Sequence, residues 1–234
     1  MNSTATTAST RGITFDLDDT LWEVEGVLRL ADARLHAWLA RNQPRAASRF
    51  PPTELRSMMA AIAVERPARA HDFSYLRRAA LSRAARLAGE EEDLSDEAFR
   101  IFLRARNEVV LYDDVRPVLD RLRRRYPMAS ITNGNADVRL IGLESYFTAA
   151  ISATDVGHAK PHPAPFRAAC AALGRPPAEV VHVGDDPESD VAGAASAGLR
   201  TVWVNRKGRA WPGGPPPDLE IRSLSELETA LAAL

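Results

Sequence analysis

Four short runs of apolar and β-branched residues, MASIT, AAISA, EVVHV and TVWV, follow one another between Met128 and Val204. The segments between them have the periodicity of helices of about ten residues. This alternation constrains the fold more than any other feature of the chain. A strand that returns parallel to its predecessor needs a crossover, and helical crossovers cover both faces of the sheet. A further run, Ile13–Phe15, stands alone far upstream and reads as another short buried strand. From about Glu25 to Val110 the pattern differs: Leu28, Leu35, Trp38 and Leu39, then Leu76, Ala80, Leu81 and Ala84, recur at helical spacing. Breaks fall near Pro44, Pro51–Pro52, Pro67 and Gly89, and no strand is expected there.

The expected fold class is therefore α/β. A Rossmann-like, doubly wound parallel sheet forms a core from residues 11–22 and 111–234, interrupted after its first strand by an all-helical insertion, 23–110. A helix through Val118, Leu119 and Leu122 ends near Tyr126–Pro127. NRKGRAWPGGPPP reads as a loop, and SLSELETALAAL as a closing helix starting near Ser223 or Ser225. Residues 1–10, MNSTATTAST, have no basic or apolar leader pattern and are expected to be a disordered tail.

A chain of 234 residues, 45% of them hydrophobic, can bury a sizeable core. Its net charge of -1 supplies no global field for nucleic acid or an anionic membrane, so neither is an expected partner. No run of about 18 apolar residues occurs, and a cytoplasmic location is expected. Cys170 is alone, so no disulfide forms within the chain. Its FRAACAAL context reads as a helix with a small buried thiol. The basic residues are almost all arginine; Lys160 and Lys207 are the only lysines.

In open parallel sheets, ligands bind at the carboxyl ends of the strands. Here those ends carry Asp16-Leu17-Asp18-Asp19, Thr132-Asn133-Gly134, Lys160 in the loop after AAISA, and Gly184-Asp185-Asp186 with Asp190 beyond. Carboxylates from two strands suit a hard cation such as Mg²⁺. A hydroxyl and a lysine suit phosphate oxygens, and one carboxylate remains to act as nucleophile. Residues two apart in extended chain share a face, so Asp16 and Asp18 can flank one substrate. Asp19 reads as a turn residue bonded to backbone.

DLDDT, ITNG, the AKP around Lys160 and GDDPESD resemble, in order, the four motifs of the haloacid dehalogenase-like hydrolase superfamily. The resemblance implies that Asp16 is the nucleophile and Asp18 the general acid/base. Thr132 and Lys160 would bind and orient the phosphoryl group, with Asn133 counted among the phosphate-binding residues. Asp185 would hold Mg²⁺ with Asp16 and the backbone carbonyl of Asp18. Asp186 and Asp190 belong to the acidic motif as supporting residues, and the helical insertion is similar to that superfamily's helical cap. The implied activity is a phosphoric monoester hydrolase forming an aspartyl phosphate on a small phosphorylated metabolite.

DLDDTLW, ITNGNAD and VHVGDDPESDVAGA are most similar to bacterial riboflavin-pathway phosphatases. Their substrates are flavin mononucleotide and 5-amino-6-(5-phospho-D-ribitylamino)uracil. The alternatives are a broad sugar- or nucleotide-phosphate phosphatase, a haloacid dehalogenase, which needs neither Asp18 nor a metal, and a phosphorylated signalling module. The five histidines, among them His158 and His162 beside Lys160, are scattered without zinc-like spacing and read as loop and surface residues. Phe73, Tyr75, Arg77 and Arg78 on the insertion could meet a ring or a phosphate; helix packing is the preferred reading of each.

Overall fold

We describe residues 9–234 of a computed structural model of the chain; most of the expected tail, residues 1–8, lies outside the described residues. Two compact units are present. One comprises the described part of Met1–Glu23 together with Val110–Asn133 and Gly142–Leu234; the other is Val24–Val109 with Gly134–Ile141.

The first unit is built on a six-stranded sheet: β1 Gly12–Phe15, β2 Met128–Thr132, β3 Ala149–Ser152, β4 Val180–Gly184, β5 Arg200–Val204 and β6 Leu219–Ile221. The spatial order is β3-β2-β1-β4-β5-β6, and every pairing is parallel. β1, β2 and β4 are buried along their whole length, which is why they read as unbroken apolar runs rather than alternating ones. The chain winds outward from β1 to β3, then returns to lay β4 on the other side of β1. This reversal is the topological switch point of an open sheet, and it sets the end of β1 beside the end of β4.

β6 is not visible in the sequence pattern. It has three residues, Leu-Glu-Ile, at the sheet edge, too few to establish a period of two. Ser223 starts the closing segment with a capping box to Glu226, and the helix Leu227–Ala233 follows.

The second unit contains α1 Val24–Asn42, α2 Pro44–Arg49, α3 Pro52–Glu65, α4 Phe73–Ala88 and α5 Ser95–Arg106. Proline opens α2 and α3, where its missing N–H is not needed, and Gly89 ends α4 in the left-handed region at φ 72. Leu35, Leu39, Leu81, Phe99 and Phe102 pack in its main core. Residues 134–141, expected with the α/β core, belong to this unit instead. The Asp137 N–H donates to Asn107 Oδ1 at 2.7 Å, and Asn135 Nδ2 lies 3.4 Å from Ser74 Oγ. No helix among the described residues is long and apolar enough to cross a membrane.

Candidate active site

At the end of β1, the Asp16 N–H donates to the Val183 carbonyl at 2.9 Å, extending the pairing with β4 by one residue. The chain then turns tightly. Leu17 is buried and its carbonyl accepts from the Leu21 N–H at 2.8 Å. Asp19 sits at φ 57, a left-handed conformation that aspartate tolerates better than most residues. The turn brings the buried Thr20 back beneath Asp16, where its hydroxyl donates to Asp16 Oδ2 at 3.1 Å. The Asp18 carboxylate accepts from Trp22 Nε1 at 3.0 Å.

Lys160 reaches the same place from the loop after β3. Its ammonium donates to Asp16 Oδ1 at 2.6 Å, Asp190 Oδ1 at 2.6 Å and the Ile131 carbonyl at 3.0 Å, and the residue is only 4% exposed. All three ammonium protons are thereby engaged. The Asn133 carboxamide fixes the lysine's backbone: Nδ2 donates to the Lys160 carbonyl at 2.9 Å, and Oδ1 accepts from the Lys160 N–H at 2.7 Å. Both ends of the carboxamide of Asn133, a residue expected to bind phosphate, thus bond the Lys160 backbone. Thr132, the last residue of β2, is buried and in register with Ser152 of β3.

After β4, Asp186 caps a π-helical turn, Pro187–Ala192, by accepting from the N–H groups of Glu188 and Ser189 at 3.0 and 2.7 Å. This turn directs Asp190 inward, where its Oδ2 accepts from the Asp186 N–H at 3.0 Å. Gly184 makes the approach possible: a Cβ there would stand 2.5 Å from Asp190 Oδ2. His182 Nε2 lies 3.1 Å from Asp190 Oδ1. This histidine is 1% exposed, inside β4, and so corrects the expectation that the histidines are loop and surface residues; the sheet buries whatever the strand carries. His158 and His162 are exposed and stack on each other with ring centroids 3.9 Å apart.

Asp16, Asp185 and Asp190 each place a carboxylate oxygen within 4.8 Å of the others. Burial, with Asp190, Asp19 and Asp186 acting the same way, pushes the Asp185 carboxyl up to about 7. Burial also raises Asp16 well above the usual carboxylate range, with Asp190 and Asp18 adding to it against the pull of Lys160. Asp190 moves the other way. Its burial is outweighed by Lys160 and His182, which hold it below the ordinary range. The difference lies in the donors, since Asp190 has a histidine and a backbone N–H in addition to the shared lysine. Burial opposes charge on Lys160, but Asp16 and Asp190 outweigh it and keep the ammonium protonated. Oxygen donors clustered where burial resists the ionisation of Asp16 and Asp185 suit a hard divalent cation, and the residues fit one. The side chains that cluster are those of Asp16, Asp185 and Asp190, the last expected from the sequence only as a supporting residue.

In the helical unit, Arg77 is buried, pairs with Asp32 at 3.0 Å and stands 3.6 Å over the Phe102 ring. Arg78 pairs with Asp96 and covers Phe99, and Arg69 lies over Tyr75. Phe73 remains 45% exposed. Packing within the unit thus accounts for Tyr75, Arg77 and Arg78.

A family model described as haloacid dehalogenase-like hydrolase matches residues 10–198. The chain is 30% identical over 227 residues to 5-amino-6-(5-phospho-D-ribitylamino)uracil phosphatase YigB of Escherichia coli strain K12, spanning 94% of this chain and 95% of that protein. Among solved structures, a 2-haloacid dehalogenase from Pseudomonas syringae pv. Tomato DC3000 superimposes with a TM-score of 0.91 at 41% identity, over 96% of this chain and 99% of that one. A HAD phosphatase from Thermococcus onnurineus gives a TM-score of 0.68 at 27% identity, over 95% and 98% of the two chains.

Proposed function

The chain belongs to the haloacid dehalogenase-like hydrolase family, and on that premise we propose that it is a Mg²⁺-dependent phosphatase of a small phosphorylated metabolite, working through an aspartyl phosphate. The observation that carries the proposal is the convergence of Asp16, Asp185 and Asp190, with the buried Lys160 ammonium bonded to Asp16 and Asp190. An acidic cluster of this kind would repel a phosphate dianion unless a cation and the lysine offset it.

In the proposed reaction, Asp16 attacks phosphorus as the bond from phosphorus to the ester oxygen breaks, and Asp18 gives its proton to that oxygen. Water then attacks the aspartyl phosphate, Asp18 takes a proton from it, and the Asp16 carboxylate is restored. Thr132 meets the phosphoryl oxygens, the Lys160 ammonium offsets their charge from its place on Asp16, and Asn133 keeps Lys160 in place. Thr20 restrains the Asp16 oxygen that the lysine leaves unbound. Asp16, Asp185 and the Asp18 backbone carbonyl would hold Mg²⁺, with Asp190 beside them. Bound there, it would supply neutralisation of the charge on the transferring group.

The substrate we favour is 5-amino-6-(5-phospho-D-ribitylamino)uracil or flavin mononucleotide. The support is the similarity to YigB along almost the whole chain. A broader sugar- or nucleotide-phosphate specificity is the alternative within the same chemistry. A second reading, hydrolysis of a carbon–halogen bond, is favoured by the 41% identity to a structure named as a 2-haloacid dehalogenase. That chemistry would use Asp16 and leave Asp18 and the acidic cluster without a task. One panel separates them: kcat/KM for phosphate monoesters and 2-haloacids, with Mg²⁺ and after chelation. Halide release that survives chelation, without phosphate release, would refute the phosphatase proposal.

A further inference from the structure

His182 stands beneath the site with contacts to which the proposed chemistry gives no part. Its Nε2 lies 3.1 Å from Asp190 Oδ1, and its Nδ1 lies 2.9 Å from the Thr14 hydroxyl on β1. The ring is 1% exposed, with the Phe166 edge packed against it at 5.1 Å between centroids and 87° between planes. The tautomer follows from the partners. An ionised carboxylate only accepts, so Nε2 carries a proton and donates to Asp190. With that proton on Nε2, Nδ1 of a neutral ring accepts from the Thr14 hydroxyl at 2.9 Å, whose other acceptor in reach, the Val181 carbonyl, is farther at 3.5 Å. Burial lowers the histidine's proton affinity, against the pull of Asp190.

The same oxygen, Asp190 Oδ1, receives the Lys160 ammonium at 2.6 Å. Asp190 Oδ2 is held by the Asp186 N–H. The carboxylate is therefore fixed from three directions: the lysine loop, β4, and the start of the π-helical turn. Without the histidine, Oδ1 would keep only the lysine, and the carboxylate could swing about its remaining contact at Oδ2. Lys160 would follow it, because two of its three bonds go to carboxylates and only the Ile131 carbonyl is backbone.

We propose that His182 is a positioning residue for the reaction: by donating from Nε2 to Asp190 while Thr14 fixes its other face, it holds the Lys160 ammonium against Asp16. The inference rests on the phosphatase reading for its kinetic readout and on geometry alone for its structural one.

Two amide substitutions separate positioning from mere packing. His182→Gln can place its nitrogen where Nε2 stands and still reach Asp190. His182→Asn places its nitrogen near Nδ1 and can reach only Thr14. With p-nitrophenyl phosphate at saturating Mg²⁺, the glutamine variant should keep kcat within about threefold of wild type, while the asparagine variant loses at least about tenfold, at similar thermal midpoints. Equal kcat values in the two variants, or losses that simply follow the thermal midpoints, would overturn the proposal. A wild-type measurement covers the case in which a variant does not fold: two-bond ¹H–¹⁵N correlation of the imidazole should show the Nε2-protonated tautomer, and an Nδ1-protonated ring overturns it. If the wild type hydrolyses no phosphate ester, the phosphatase reading is what fails, and the tautomer decides the place of His182.

Discussion

Replacing Lys160 by arginine conserves charge and changes its shape, and the structure allows the consequence to be sized. One nitrogen serves Asp16, Asp190 and the Ile131 carbonyl at 2.6, 2.6 and 3.0 Å inside a closed pocket. A guanidinium spreads its donors over a plane and cannot converge on three oxygens from one point. At least one of the two charge-assisted bonds should be lost, each contributing about 1.5–3 kcal/mol. If that bond acts in the transition state, kcat/KM falls at least roughly tenfold, since about 1.4 kcal/mol is a factor of ten. Forcing the larger head into a filled site should also destabilise the fold by about 1–3 kcal/mol. The assay is steady-state hydrolysis of a phosphate monoester with Mg²⁺, alongside thermal unfolding. Lys207→Arg is the control: Lys207 is exposed in the loop after β5 and should be silent in both. A folded Lys160→Arg enzyme within about twofold of wild type, or an equal loss in Lys207→Arg, would refute the reasoning.

Asp16→Asn should abolish turnover while leaving the fold intact, because an amide does not attack phosphorus. Substantial activity in a purified sample would remove Asp16 from its role. Asp18→Asn should slow the chemical step and change the pH–rate profile, which single-turnover kinetics reads directly. Asp185 has its carboxyl raised from 3.8 to about 7, so the folded state holds that proton more tightly than the unfolded chain. Its ionisation therefore weakens the metal-free fold as pH rises between those values. Metal-free wild type should lose thermal stability relative to Asp185→Asn across that window, and saturating Mg²⁺ should abolish the difference; a flat difference without metal argues against it. Gly184→Ala puts a methyl 2.6 Å from Asp190 Cβ, and should reduce kcat/KM at least about tenfold and stability by about 1–3 kcal/mol. Wild-type activity in that variant would mean that Asp190 is free to move.

The strands buried on both faces are legible because they must be apolar throughout. MASIT coincides with β2, and the other runs lie within a residue of β1, β3, β4 and β5 at each end. The helix breaks are legible because proline and glycine act locally, as at Pro44, Pro52 and Gly89. What is not legible depends on distant partners. β6 is defined only by its neighbour β5. Residues 134–141 follow Asn107, a contact that no local pattern encodes. Asp16, Lys160 and Asp185 can be gathered from the rule that strand ends share one edge. Asp190 needs both a π-helical turn and the absence of a side chain at Gly184. His182 is hidden because an apolar run surrounds a residue that composition alone assigns to the surface.

The position of β1 also sets an order of assembly. Thr14 and His182 touch across 168 residues of chain, so the strand bearing Asp16 has no β4 to pair with until β4 itself is made. At ribosomal speed that interval is roughly 10–30 s. Most of the helical unit, Val24–Val109, is contiguous and complete long before then. The acidic cluster is thus a late product of synthesis. Its carboxylates stay in water until Lys160 and, after it, the π-helical turn arrive to take them out of it. Proteolysis of ribosome-bound chains halted before β2, the first strand made that pairs with β1, would read this order as protected helices beside a cleavable β1, and protection of β1 at that stage would contradict it.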